Sequence, residues 1–351
     1  MRSHIRFQWM SSPPGERFRT GVSLHSHTFH SQESFDFIRR AGMRTPLIAA
    51  LIRVAEGQYR RRNGRKLDLE RAWWTPPLSP DEVWRQEISQ IEQLELSGLV
   101  AITDHDNIQG PLELRAAGAV VPLALEWSVP FGPALFHLGI YNLPAGRALD
   151  FFQAMQDCRR RPGLDRLTEL LSEIAAIPGA LVVFNHPFWD ETGIGDARHE
   201  EAVRVFLRMF SPYIHAVELN GLRPVRENDR VRSLAASMRK TLISGGDRHG
   251  LEPNAVVNTT NAQSFLEFAD EIRHGWSNLV FLNRYRYPHG LRMARNTIDM
   301  VRNYNRHARG WRVWTDRAFY RDDTGAVWPL TGILARSGHA RGIRAEARVA
   351  G

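Results

Sequence analysis

GVSLHSHT, residues 21–28, is an apolar, strand-like run that closes on two histidines. Alternate residues of a strand share a face, so His25 and His27 can offer both imidazoles to one point. The habit recurs along the chain. LVAITDHD (99–106) ends in Asp104, His105 and Asp106, VPLALEWSV (121–129) carries Glu126, and LFHLGIYN (135–142) holds His137. ALVVFNHP (180–187) ends in His186, and TLISGGDRH (241–249) ends in Asp247 and His249, a second pair two residues apart. HAVELNG (215–221) completes seven strand-like runs.

Segments of helical period fall between most of these runs. The clearest opens at Ser79, with Pro80 at the first helical position and Glu82 completing a capping box. Val83, Trp84, Ile88, Ile91 and Leu94 then share one face, and Gly98 follows before the next strand. Residues 165–177, 199–210 and 227–240 repeat the theme. Apolar strands alternating with amphipathic helices predict an α/β fold on a parallel sheet, open or closed into a barrel. In α/β barrels the functional groups gather at the carboxyl ends of the strands, which is where these His, Asp and Glu residues stand.

The 351 residues suffice for one large domain or two smaller ones, and the 43% hydrophobic content is that of an ordinary globular chain. No long uncharged apolar run is present, so no membrane span is expected. The N-terminal MRSHIRFQWMSSPPG lacks the apolar stretch of a secretory signal, and a cytoplasmic location is the simplest expectation. A single cysteine, Cys158, excludes an internal disulfide and a thiolate metal cluster.

The net charge of +8 is unevenly placed. Residues 284–351 hold 14 Arg against 5 acidic residues, residues 39–71 hold 10 basic against 3 acidic, and the remainder is acidic by 8. An acidic core thus carries two basic attachments, of a kind that binds polyanions or simply forms solvated arginine-rich faces. The first, residues 39–78, interrupts the first β–α unit with RRRNGRK and a WWTPP loop and reads as an insertion. The second, residues 284–351, begins with an amphipathic helix (Leu291, Ala294, Ile298, Val301) and turns as a hairpin at Asp323-Thr324-Gly325. It ends in a loose tail, HARGIRAEARVAG.

A lone histidine near a strand end is usually a satisfied polar residue, and His4, His30, His199, His215, His289, His307 and His339 are read that way. Asp104 by itself would be a turn cap. Glu126, His137 and His186 are harder to place, because they sit amid apolar strand residues where a buried charge needs a partner. A shared cluster of cations would satisfy all of them together. A His/carboxylate site without cysteine suits Zn, Mn or Fe.

LHSHT, ITDHD, FNHP and GGDRH also resemble, in order, the four motifs of the PHP (polymerase and histidinol phosphatase) superfamily. LALEW and FHLGIY stand for the family's glutamate strand and later histidine, and the resemblance spans residues 19–283. It implies a distorted seven-stranded (β/α)7, TIM-like barrel over residues 1–283, with 39–78 as a basic insertion and 284–351 as an Arg-rich extension. It further implies that His25, His27, His105, Glu126, His137, His186, Asp247 and His249 hold two or three divalent metal ions, with Glu126 bridging. Asp104 and Asp106 would stand behind them and orient imidazoles. One departure is plain: where the family reads HTxxSDG this chain reads HTFHSQES, so Gln32 replaces a usual aspartate ligand and Glu33 follows it.

Ions about 3.5–4 Å apart bind phosphate oxygens and lower the pKa of a bridging water. The leading expectation is therefore a metal-dependent phosphoesterase, hydrolysing a mono- or diester on a small phosphorylated metabolite or a nucleic acid end by attack of metal-activated water. Asp247 and Glu126 would position that water, His249 or His27 would move protons, and Arg248, Arg223 and Arg226 are candidate phosphate contacts. Tyr59, Trp73, Trp74, Tyr285, Tyr287, Trp311 and Trp314, interleaved with the basic segments, tilt the substrate toward nucleic acid. Two alternatives stand beside this. One is hydrolysis of a non-phosphate ester or amide on the same metals; the other is a catalytically silent, metal-stabilised module whose basic extensions bind a partner.

Overall fold

Strand and helix alternate as the sequence pattern predicts, but the strands do not all run the same way. The computed structural model describes residues 2–10, 18–35, 46–64, 66, 68–304, 307–322 and 324–331. The chain divides into a larger unit, residues 1–31 with 76–300, and a smaller one, residues 32–75 with 301–351. The insertion expected at 39–78 and the extension expected from 284 enter this division in part. Residues 32–75 group with 301–351, while the helix His289–Met300 groups with the larger unit.

The larger unit contains strands β1 (Arg2–Phe7), β2 (Thr20–Ser23), β3 (Ser97–Val100), β4 (Leu125–Phe131) and β5 (Ala134–Tyr141). It continues with β6 (Leu181–Asn185), β7 (Ala216–Asn220), β8 (Thr241–Gly245), β9 (Val256–Thr260) and β10 (Trp276–Phe281). One five-stranded sheet has the order β1-β10-β9-β2-β3 and the other β8-β7-β6-β5-β4. Neighbours β2/β3, β6/β7 and β7/β8 are parallel, as expected, whereas β4/β5, β5/β6, β9/β2 and β9/β10 are antiparallel. The β4/β5 case has a simple cause. Only Gly132 and Pro133 separate these strands, Gly132 takes φ 56°, and a parallel crossover needs about a dozen residues or more. Neither sheet closes into a barrel among the described residues. Single parallel bridges, Ser26 to Arg248 and His105 to Glu126, nevertheless join residues beyond β2 and β8 and link the end of β3 to β4.

Helices cover these sheets for the reasons the sequence shows. Ser79 Oγ accepts the Glu82 N–H at 3.2 Å while Glu82 accepts the Ser79 N–H at 2.8 Å, so the capping box of helix Pro80–Glu92 is formed. Val83 and Ile91 on that helix are fully buried, each contributing about 1.5–3 kcal/mol of apolar burial. The main core lies around β4–β7, where Trp127 is fully buried and donates its indole N–H to Met155 O at 3.2 Å. Phe136, Phe184 and Phe206 belong to the same core and meet edge-on or tilted, with ring centroids 5.0–5.2 Å apart. Among the described residues, no helix is long and apolar enough to cross a membrane.

One helix departs from its forecast. The amphipathic helix expected after residue 284 is present as His289–Met300, yet its apolar residues Leu291 and Ile298 are 42% and 63% exposed. Arg292 is the buried residue instead. Its guanidinium donates to the carbonyls of Gly221, Arg223 and Tyr287 and lies 4.4 Å from the Tyr285 ring centre, so polar satisfaction seats this helix.

In the smaller unit, strands Glu33–Ser34, Ala72–Trp74, Ala318–Arg321 and Val327–Pro329 form one antiparallel sheet. Trp73 and Trp74, forecast as loop, are therefore strand residues; their aromatic, β-favouring side chains fit a half-buried sheet. The forecast hairpin turn is present, held by the Asp322 carboxylate, which accepts from Thr324 N, Ala326 N and Trp328 Nε1 at 2.9, 3.0 and 2.7 Å. The first four residues of RRRNGRK close the helix Pro46–Asn63, where Arg60, Arg61 and Arg62 meet the negative end of the helix dipole. The tail expected to be loose, including His339, lies outside the described residues.

Candidate metal centre

The strands of the larger unit bring their polar residues to one buried place. The Glu126 carboxylate is its hub. Its Oε2 lies 3.0 Å from His25 Nε2, 3.3 Å from His27 Nε2 and 3.1 Å from His105 Nε2. Its Oε1 lies 3.1 Å from His186 Nε2 and 3.7 Å from His137 Nδ1, and accepts the Asn185 side-chain N–H at 2.9 Å. Asp247 is the second acidic centre: Oδ1 sits 3.6 Å from His27 Nε2, 3.8 Å from His25 Nε2 and 3.7 Å from His249 Nδ1. Arg223 donates to its other oxygen at 2.8 Å.

Three-donor sets fall within metal-binding reach. His25, His27 and Glu126 offer ligand atoms within 4.8 Å of one another, as do His105, Glu126 and His137, and His25, His186 and Glu218. His27, His105 and His249 also lie within that distance. Glu126 belongs to two of these sets, as a bridging ligand must. His137 Nδ1 is buried with no hydrogen-bond partner among the described residues, a cost that a cation would remove. Imidazole and carboxylate donors fit a divalent ion of the Zn, Mn or Fe kind.

The electrostatics point the same way. Burial by itself would lower His25, but the facing carboxylates of Glu126 and Glu218 hold it well above the usual histidine range. His137 behaves alike: burial opposes the charge, Glu126 and Glu191 favour it, and it is raised to about 9. Burial would raise Glu126, yet His105, His25, His137 and His186 hold it well below the usual carboxylate range. Asp247 is held low against burial by Arg223 and the neighbouring histidines. The buried charges of this site are thus present and paired.

The backbone is bent to make this possible. His25, Asp106, His186 and Asp247 have φ of 65°, 48°, 23° and 52°, in the left-handed region that non-glycine residues rarely adopt. Such residues cost about 1–3 kcal/mol each and persist where the surroundings hold them. Here Asp247 N donates to His25 O at 2.8 Å and His27 N to Arg248 O at 3.1 Å, locking the first and last histidine-bearing turns together. The glycines of GGDRH have a spatial reason. A Cβ on Gly245 would lie 1.5 Å from Glu218 Oε1, and one on Gly246 would lie 1.5 Å from Asn254 Oδ1.

Asp104 and Asp106 stand one layer out. Asp104 accepts the Thr28 N–H at 2.5 Å and the Thr28 hydroxyl at 2.9 Å, fixing the chain directly after His27. Asp106 accepts Ser128 N at 3.0 Å, pairs with Arg159 at 3.2 Å, and adds to the charge that raises His137. Arg248 corrects its forecast. Its guanidinium is bound to Glu87 at 2.7 Å, Gln86 at 2.6 Å and the carbonyls of Gly250 and Leu251, so it anchors the helix Pro80–Glu92 instead of facing the imidazoles. Arg226 is exposed on the helix Val225–Met238. Gln32 and Glu33 belong to the smaller unit.

Sequence reasoning missed three participants. Glu218 Oε1 lies 2.5 Å from His25 Nδ1, and Oε2 accepts the His186 and Asn220 N–H groups at 2.8 and 3.0 Å. Its signal was visible: a carboxylate amid apolar residues in HAVELNG, the same oddity that marked Glu126. Glu191, 3.1 Å from His137 Nε2, sits in a polar loop and had no such signal. Asn185 had only its place beside His186.

No protein-family model matches the sequence, and no curated protein is detectably similar to it. Solved structures do align. An amidohydrolase from Chromobacterium violaceum matches with a TM-score of 0.41 and 15% identity, over 57% of this chain and 93% of its own. A proposed metal-dependent phosphoesterase from Bifidobacterium adolescentis matches at 0.33 and 16%, over 51% and 85%. A two-domain protein from Bacteroides vulgatus, containing a predicted PHP-like metal-dependent phosphoesterase, matches at 0.36 and 13%, over 57% and 60%. Similarity at this level carries no inference about activity.

Proposed function

We propose that the chain is a PHP-type, metal-dependent phosphoesterase, and that strands β2–β8 of its two larger sheets, joined by the bridges at Ser26–Arg248 and His105–Glu126, form the distorted seven-stranded barrel of that family. One observation carries this reading. A single buried carboxylate, Glu126, is met within 3.3 Å by four imidazoles from three separate chain segments, at His25 and His27, His105 and His186. A cluster so expensive to bury has a simple physical purpose as a cage for cations.

Two or three divalent ions held by His25, His27, His105, Glu126, His137, His186, Asp247 and His249 would supply Lewis acidity toward phosphoryl oxygens and a water of lowered pKa. The chain's own groups set the rest. Glu218 accepts a hydrogen bond from His25 Nδ1 and so aims the His25 Nε2 into the cluster. His249 Nδ1 donates to the Asp247 carbonyl at 2.9 Å, which fixes the orientation of its ring. His105 and His249 have 11% and 12% of their side chains exposed, against none for His25 and His27, so substrate meets the site on their side. His249 stands on that side, where it would either complete the donors of an ion or move a proton to the leaving oxygen. Of the three forecast arginines only Arg223 borders the cluster. Its Nη2 donates to Asp247, its Nε faces Glu227 at 3.9 Å and its guanidinium covers the Trp189 ring at 3.9 Å, so it sets the charge beside Asp247.

The test is elemental analysis of protein purified without chelator, with hydrolysis of an aryl phosphate monoester, a diester and an aryl acyl ester. Two or more Mn, Fe or Zn per chain with phosphoester turnover is the expected result. His186→Ala and Asp247→Ala should then lose metal and at least about 100-fold in turnover. Turnover of the acyl ester alone would move the function to carbonyl substrates. Metal without any turnover would mean a silent module, and no metal bound even on adding Mn or Zn would overturn the reading.

A further inference from the structure

The smaller unit concentrates the positive charge of the chain. Residues 32–75 and 301–351 together hold 20 basic and 9 acidic residues, a net +11, whereas the larger unit holds 26 and 29, a net −3. Two segments far apart in sequence, each modestly basic, are thus joined through one antiparallel sheet.

That sheet has two unlike faces. Ala72, Trp74, Ala318 and Tyr320 are buried, and Ala72, Ala318 and Tyr320 pack with Leu330. The alternate residues Trp73 and Phe319 are only half-buried, and Arg321, Val327 and Pro329 are exposed. The register places Trp73 opposite Phe319, Phe319 opposite Pro329, and Arg321 opposite Val327, so all five share the second face. The open side of an antiparallel sheet ordinarily carries polar residues. Here it carries rings: Trp73 and Phe319 lie 5.7 Å apart, Trp311 lies 5.8 Å from Phe319, and the Arg321 guanidinium lies 5.3 Å over Trp73.

We infer that this face is a binding platform for single-stranded nucleic acid, with bases stacking on Trp73 and Phe319 while Arg321 meets the phosphates. Flat rings beside guanidinium groups on a strongly basic unit suit a polyanion with unpaired aromatic bases. A duplex hides its base faces and would engage the charge alone. The binding does not require the hydrolase reading; that such a strand is also the substrate does rest on it.

Fluorescence anisotropy of the full chain with a labelled twenty-nucleotide oligothymidylate tests this, since it reads binding whether or not the protein turns anything over. Affinity should fall steeply with salt and exceed that for a duplex of equal length. Trp73→Ala with Phe319→Ala should weaken binding by about tenfold or more, while Trp73→Tyr with Phe319→Tyr retains it. Arg321→Ala should reduce the slope of log affinity against log salt by about one. Where the double alanine variant loses its far-UV circular dichroism, Arg321→Glu at its exposed position carries the test, with the same expected loss. The inference is overturned by equal affinity for strand and duplex, by binding that ring removal leaves untouched, or by binding to anionic phosphatidylserine vesicles with none to the strand. Loss of phosphoester turnover with strand binding intact would fail the hydrolase reading and leave this one standing.

Discussion

Replacing Gly245 with alanine adds one methyl group where the structure has no room for it. The new Cβ would lie 1.5 Å from Glu218 Oε1, 2.4 Å from its Cδ and 2.8 Å from its Cγ, so the carboxylate must leave. In leaving it gives up His25 Nδ1 at 2.5 Å, the His186 N–H at 2.8 Å and the Asn220 side chain at 3.0 Å. Breaking up a buried charged pair costs about 3–5 kcal/mol, and losing the group that orients a metal-binding histidine lowers metal affinity about 10–100-fold. Gly245→Ala should therefore destabilise the protein by that amount and weaken metal binding by that factor, although it touches no proposed ligand directly. Glu218→Ala should do the same. The decisive measurement is the double variant, by denaturant unfolding and by metal competition against a chromophoric chelator. Once Glu218 is shortened, the alanine methyl at 245 has space, so the double variant should be no worse than Glu218→Ala and the two effects strongly non-additive. Additive losses, or a Gly245→Ala protein with unchanged metal affinity, would refute the role given to Glu218.

Arg248→Ala should cost about 3–5 kcal/mol in unfolding free energy because it strands the buried Glu87, and lysine should not restore the lost fork of bonds. A turnover defect with normal stability would instead return Arg248 to the reaction. In metal-free protein, the His137 pKa of about 9 exceeds the ordinary value near 6.5, so its pairing with Glu126 and Glu191 stabilises fully below about pH 6.5 and fades as pH rises through 9. Unfolding midpoints should accordingly fall between pH 7 and 9.5, and Glu191→Gln should flatten the decline; a rise over that range would contradict the pairing.

The sequence announced the site better than the sheets. The histidines and acids of LHSHT, ITDHD, LALEW, FHLGIY, FNHP and GGDRH converge because strand periodicity and strand-end position are local properties, legible in a few residues. Arg248 misled for the same reason that Asp247 and His249 did not. Adjacent residues in a sharp turn point different ways, and only the tertiary position of Glu87 decides where the guanidinium goes. Strand direction was less legible, because runs such as LALEWSV and LFHLGIY look the same in either orientation. The two-residue Gly132-Pro133 link held the answer for that pair. The union of residues 32–75 with 301–351 had no local signal at all. It depends on strand pairing across more than two hundred residues of chain, between Ala72–Trp74 and Ala318–Arg321.

The position of the cluster also follows from how the larger unit is held together. The backbone links between its two sheets fall at Ser26–Arg248 and His105–Glu126, and each lies at or beside members of the donor set. His25, His186 and Asp247 adopt left-handed backbone conformations just beyond their strands, which would be unfavourable if isolated. Asp247 stands where the chain passes from the second sheet to the first, and its N–H donates to His25 O, a bond that closes the seam. A cation among these side chains would draw together residues from both sheets, offsetting the strain with the same contacts that close the seam. Metal should thus act on this protein as a folding ligand as well as a chemical one. Its removal should lower the unfolding midpoint of the larger unit most, and a variant that opens the seam should lose metal even with every donor in place.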